Sequence, residues 1–150
     1  MAAGMISEVR LTRRGVVALA GVGLLGGCSS EAGRINRLFF GAVKRDPLYS
    51  WRPDWVTEVS DFETPLGGIY PEATARFRRS LSAGGLPASA MDDAVAFALS
   101  SGWAARDDES GVVRYVKNIA NSDLAMHLFV SRFVGDTGSW LTMEFLAMNA

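Results

Sequence analysis

Hydrophobic and polar positions along this chain fall into blocks of distinct period, and the blocks predict its elements. From Arg34 to Arg45 the apolar residues Ile35, Leu38, Phe39, Ala42 and Val43 recur at helical spacing, with Arg34, Arg37, Lys44 and Arg45 on the other faces. Asp46-Pro47 ends that segment, because the residue before proline avoids helical backbone. Thr74 to Ser82 alternates instead. Ala75, Phe77 and Leu81 lie on one side and Thr74, Arg76, Arg78 and Ser80 on the other, which is strand spacing, although Arg79 falls on the apolar side. A helix from Pro71 is the competing reading. Leu86 to Ser101 is the clearest helix, with Pro87 at the first turn, Asp92 and Asp93 near the positive end of the dipole, and a stripe of Met91, Ala94, Val95, Ala98 and Leu99 widened by Phe97. Gly102 is placed to close it in a left-handed conformation, after which Trp103 packs back on the helix end. Three strand-like runs follow, Val112–Ile119, Leu124–Val134 and Ser139–Met148, joined by turns too short for anything but antiparallel neighbours. The expected fold is therefore α+β: a four-stranded, mainly antiparallel sheet in the order strand, helix, strand, strand, strand, with one helix packed on one face.

Two stretches fit neither period. Leu48 to Trp55 holds two tryptophans and a tyrosine within seven residues. Such a stretch is either an aromatic surface for a glycan or lipid headgroup or, as the favoured expectation, a strap burying its rings against the domain. Asp61 to Tyr70, with Pro65, Gly67 and Gly68, reads as an acidic solvated loop. By alternation the sheet face turned away from the helix carries Arg76, Arg78, Arg114, His127, Phe129, Phe133, Trp140, Thr142 and Glu144. The expectation is that the Leu48–Tyr70 segment covers this face; left open, it is a partner surface.

The N-terminal block has its own pattern. Arg10, Arg13 and Arg14 precede an apolar run, Val16 to Leu25, of about ten residues. That is the length of a signal-peptide core and too short for a membrane-spanning helix, which needs roughly 20 residues. Gly26, Gly27 and Cys28 follow. Leu25-Gly26-Gly27-Cys28 resembles the lipobox of bacterial lipoprotein signal peptides. The resemblance implies cleavage before Cys28, a diacylglycerol on its sulfur, and a palmitate-type acyl anchor at the extracytoplasmic face of the cell membrane. Two or more acyl chains hold a protein stably on a bilayer. Thr12-Arg13-Arg14-Gly15-Val16-Val17 also resembles a twin-arginine export signal, and ordinary secretory export stays open beside it. Gly21-x-Gly23-x-x-Gly26 matches a dinucleotide fingerprint, but no helix opens at its glycines and too little chain remains for that fold. A buried, unmodified thiol is the plain alternative for Cys28. The expected organisation is signal peptide 1–27, lipidated cysteine and membrane-proximal tether 28–45, and α+β domain 46–150. The basic amphipathic helix of the tether either lies on anionic lipid or packs on the domain. From about residue 46 to 148, the order strand, helix, Gly-Trp, meander resembles uncharacterised small lipoproteins of high-GC Gram-positive bacteria, a resemblance that brings no activity with it.

Charge and composition narrow the chemistry. Taking the three arginines and one glutamate of residues 1–27 from totals of 15 basic and 16 acidic leaves 12 and 15, a net charge near −3. That balance does not fit a nucleic-acid partner. One cysteine excludes an intrachain disulfide, and one histidine excludes a multi-histidine metal site. No cofactor motif stands out.

The leading expectation is a non-enzymatic membrane-anchored lipoprotein, held through Cys28, that presents a small domain to an envelope protein partner. Trp51, Trp55, His127, Phe129 and Trp140 are its candidate surface residues. The second expectation is a lipid- or glycan-binding module with a pocket lined by Phe77, Phe97, Trp103 and Phe145. The third is a hydrolase-like enzyme in which His127 and Glu144, on adjacent strands, form a proton-transfer couple.

Overall fold

The computed structural model describes residues 30–67, 74–107 and 113–150. Ile35–Ala150 forms one compact unit; of the other, Met1–Arg34, only residues 30–34 are described. The lipobox, Cys28 and the arginine pair lie outside the described residues.

Helix α1 spans Glu31–Arg45. Ser30 Oγ accepts from the Gly33 amide at 3.1 Å at its start, and Lys44 and Arg45 complement the dipole at its end. Phe39 and Val43 are fully buried in the core, with Ile35, Leu38, Phe40 and Ala42 packed around them. Of the two placements open to the amphipathic segment, its apolar stripe has taken the domain, leaving Arg37, Lys44 and Arg45 exposed.

Asp46 leaves the helical region (φ −70°, ψ 139°) and caps the single-turn helix α2, Pro47–Ser50, by accepting from Leu48 N at 3.0 Å. Strands β1 (Glu58–Thr64) and β2 (Arg76–Ala83) then form a hairpin. Helix α3, Ala90–Ser100, crosses the sheet and delivers the chain to the far edge, β3 (Ala104–Asp107). A meander of β4 (Val113–Asn118), β5 (Leu124–Gly135) and β6 (Gly138–Asn149) returns until β6 pairs with β2. The result is a six-stranded antiparallel sheet in the order β1-β2-β6-β5-β4-β3.

The α+β class stands, and the strand count is corrected from four to six. The two extra strands are the sheet edges. Glu-Val-Ser-Asp-Phe-Glu-Thr in β1 is mostly exposed and Ala-Ala-Arg-Asp in β3 is wholly so. An edge strand in solvent needs no apolar alternation, and charge on it deters further pairing. β1 therefore reads as an acidic loop, and residues 105–111, which contain most of β3, read from their composition as a polar turn.

The helices share one face of the sheet with a dense aromatic core. Phe77 and Phe145 pack edge to face at 5.9 Å, Trp103 meets Phe145 at 5.8 Å and Tyr49 meets Phe77 at 5.8 Å. α3 approaches through Ala90, Ala94 and Ala98, small enough to bring the backbone close, while Leu99, placed on the stripe by spacing, is exposed. Gly102 closes α3 at φ +90°, a value disfavoured for residues with a Cβ.

Polar ties pin the helices to the sheet. Asn36 bonds both the amide and carbonyl of Leu66, at 2.8 and 3.0 Å. Lys44 reaches Glu63 at 2.7 Å, and that hydrogen bond raises its pKa above the ordinary lysine value. Arg79, on the apolar side as its position requires, bonds Asp61 through both carboxylate oxygens at 3.0 and 2.9 Å and lies 4.8 Å from the Tyr49 ring centre. Buried Asp46 accepts from Lys117 Nζ at 2.7 Å and Trp103 Nε1 at 3.2 Å, while the same ammonium donates to Ser101 O at 2.6 Å. This node joins the α1–α2 corner, the end of α3 and strand β4.

Candidate functional site

The candidate surface residues divide between the two sides of the sheet. Trp51 and Trp55 stay with the helices: Trp51 stacks on Phe97 of α3 at 5.7 Å and meets Trp55 edge-on at 6.4 Å. Leu48 is fully buried beside them in the core. The strap thus packs on the helix side, and residues 48–67 do not cover the other face, which corrects the expected covering over that part; residues 68–70 lie outside the described residues. The reason is topological: after the α1–α2 corner the chain enters the sheet as edge strand β1, so residues 58–64 extend the sheet instead of crossing it. The pocket expected among Phe77, Phe97, Trp103 and Phe145 is filled by the rings themselves. Phe77 and Phe145 are buried against each other, and Trp103 is only 3% exposed.

His127, Phe129 and Trp140 lie together on the outer face. Register places the whole expected set there. Trp140 opposes Phe133 and Ser82, Thr142 opposes Ser131 and Ser80, and Glu144 opposes Phe129 and Arg78. His127 opposes Leu146 and Val116, with Arg76 in the same row across β6. No described element lies over this face. At its β1 and hairpin end it displays Phe62 (65% exposed), Phe133 (47%) and Trp140 (36%). Phe133 stacks on Trp140 with ring centres 4.2 Å apart and planes 22° apart. Gly135 makes room for this, since a Cβ there would meet Phe133 Cε1 at 2.5 Å.

The face is basic although the chain is not. Arg76 and Arg78 on β2 converge on Glu144 at 3.0 and 3.7 Å. Arg114 on β4 sits directly opposite Arg106 on β3, and neither has an acidic partner among the described residues. Arg106 escapes sequence reading because β3 does so; with the strand known, its register against Arg114 follows by counting.

His127 and Glu144 do not form the expected couple. Glu144 opposes Phe129, two residues along β5 from His127, and its carboxylate is engaged by two arginines. His127 is 7% exposed and its Nδ1 has no hydrogen-bond partner among the described residues. Desolvation, and then the positive charge of Arg114, hold its pKa below the ordinary value of 6.5. The imidazole therefore favours its neutral form at neutral pH. Around it lies a recess of about 240 Å³ that includes Arg106, Arg114, Asn118 and Asn149.

Among the described residues no group of three or more histidine, cysteine, aspartate or glutamate side chains is placed to hold a metal ion, and no helix is long and apolar enough to cross a membrane. Compared with models of known families, with curated proteins and with solved structures, the chain matches none of them.

Proposed function

We propose that this chain is a membrane-anchored lipoprotein, acylated at Cys28, whose domain binds an envelope partner through the outer face of its sheet. One observation carries the binding part. The centre of the helix side is filled by packed rings, with a recess of about 470 Å³ at its border by Ile35, Leu66 and Leu124, whereas the outer face carries an exposed stacked aromatic pair, Phe133 and Trp140, beside arginines. Exposed aromatics and arginine are the residue types that anchor protein interfaces. Arg76, Arg78, Arg106 and Arg114 outnumber Glu144 and the edge residue Glu58 on this side, so the partner surface it fits is anionic. The anchor part rests on the basic leader, the short apolar run and the Gly-Gly-Cys end of that run.

Two experiments test the parts separately. Detergent phase partitioning with intact mass compares wild type with Cys28→Ala in a bacterial host. The anchor reading expects wild type in the detergent phase at the mass of a chain starting at Cys28 plus acyl groups, and the variant outside it. Wild type that keeps its leader and stays in the aqueous phase contradicts the reading. For the face, a photo-crosslinking amino acid replaces Trp140 in one chain and Leu99, exposed on α3, in another. A discrete envelope adduct from position 140 and none from position 99 is expected. Adducts from position 99 alone, or from neither, contradict the outer face as the binding surface.

A further inference from the structure

The outer face holds an arrangement that its own packing does not explain. Arg106 and Arg114 face each other across β3 and β4, and like charges directly opposite destabilise a sheet. Arg114 Nε is buried without a hydrogen-bond partner among the described residues, and no carboxylate among them answers either guanidinium. Next to them the His127 ring is more than nine-tenths buried, and its Nδ1 is unpartnered too. A buried polar atom left unpaired costs about 1–3 kcal/mol. Here the two side chains that carry such atoms and a like-charge pair border one recess of about 240 Å³, with the amide-bearing residues Asn118 and Asn149 also at its border.

All three defects have the same remedy. An anion in the recess accepts from both guanidiniums, relieves their repulsion and sets a negative charge beside the imidazole. We infer that the recess between His127, Arg106 and Arg114 is a binding site for a phosphate group, carried by a small phosphate ester or by a lipid headgroup. Phosphate fits better than carboxylate because three free oxygens can meet two guanidiniums and a ring nitrogen at once, where a carboxylate offers two. The volume takes the phosphate group itself, and whatever carries it extends into solvent. The neighbouring arginine pair does not compete, because Arg76 and Arg78 are already directed to Glu144. An anion here also favours the protonated imidazole, so occupancy raises the His127 pKa from its lowered value. The inference rests on the partner-face reading only in giving one part of that face its chemistry.

The chain has a single histidine, so its imidazole Cε1 proton gives one assignable magnetic-resonance signal. The full chain with Cys28→Ala, kept in maltoside detergent, is titrated with inorganic phosphate at constant pH and constant ionic strength. The expected result is a saturable shift of the His127 signal in the millimolar range or below, accompanied by a rise in its pKa. Arg114→Met is expected to weaken the response at least tenfold and Arg106→Met several-fold. Arg78→Met, which removes an arginine outside the recess, leaves it unchanged. Arg114→Met also has an expected melting temperature equal to or above that of the parent, since it removes an unpaired buried cation; this separates lost binding from lost folding. Vesicles distinguish the source of the phosphate. A shift with phosphatidic acid, a lipid ending in a phosphate monoester, added to phosphatidylcholine assigns a lipid headgroup, and a shift with soluble phosphate alone assigns a small ester. A response that does not saturate, or that Arg78→Met reduces as much as Arg114→Met, overturns the inference, because it reports general charge screening. The crosslink from position 140 does not depend on this outcome, so either reading can fail alone.

Discussion

The two faces of one sheet are built from the same strands and follow opposite rules. On the helix side Phe77, Phe145, Trp103, Tyr49 and Trp51 each meet another ring, and the charged groups that enter are paired: Arg79 with Asp61, Lys117 with Asp46. On the outer side rings are exposed, two arginines oppose each other, and a buried histidine has a free nitrogen. Folding accounts for most of the first arrangement, with Trp55 Nε1 and Arg79 Nε buried without a partner among the described residues. On the second, Arg76 and Arg78 answer Glu144 and Phe133 stacks on Trp140, but the corner of Arg106, Arg114 and His127 is left unanswered among the described residues, which is what a surface kept for something else looks like.

The sharpest way to break this contrast is to truncate one ring on each side. Phe145→Ala, at a fully buried position among Phe77 and Trp103, is expected to cost about 3–5 kcal/mol in urea unfolding. Trp140→Ala removes a larger side chain and is expected to cost no more than about 1 kcal/mol, the stacking with Phe133 included. Equal losses would mean that the outer face is also core.

The next largest effect concerns the buried node. Asp46→Ala strands Lys117 Nζ, removes the acceptor of Trp103 Nε1 and uncaps α2, for an expected loss of about 2–4 kcal/mol. Lys117→Met leaves the other two donors on Asp46 and is expected to cost less. If Asp46→Ala proves neutral in denaturant unfolding, the helix side is less tightly specified than its geometry indicates.

Both sides were legible to different depths. Alternation in β2, β5 and β6 follows directly from having one face buried, so the residues of the outer face could be named from the sequence. The edges could not, because β1 and β3 have little or nothing to bury. Nor could the Asp46 node, whose members lie 57 and 71 positions apart and share no local pattern. The path of the strap was misjudged for the same reason. Whether Leu48–Trp55 covers one face or the other is decided by β1 joining the sheet, and β1 carries no apolar signature. Among the site residues, His127 and Arg114 were visible by spacing, while Arg106 stayed hidden inside an apparent turn.

A smaller effect sharpens the outer face itself. His127 has its pKa below 6.5 in the fold, so the unfolded chain binds the proton more readily. Its contribution to stability is present above about pH 6.5 and is lost as pH falls from there through the lowered folded value. The charged groups about it are Arg114 on β4, Arg106 on β3, Glu144 on β6 and Arg76 beyond it on β2, a set that is cationic on balance. His127→Asn is expected to flatten the stability profile between pH 7 and 6, and saturating phosphate to reduce the same slope in the parent. A profile that keeps its slope in His127→Asn places the titrating group elsewhere.

The central claim, an anchored chain with its outer sheet face open, is tested most directly by thiol labelling from outside the cell. With Cys28 acylated, an introduced cysteine is the only free thiol in the chain. Ser131→Cys lies exposed on the outer face opposite Thr142, and Ala98→Cys lies buried where α3 meets the sheet. On spheroplasts treated with a membrane-impermeant maleimide, the account predicts rapid labelling at position 131 and labelling at position 98 only after denaturation. Protection of position 131 that persists in the purified protein until it is unfolded would show the outer face covered by the chain itself, and labelling at position 131 only after lysis would place the domain on the wrong side of the membrane.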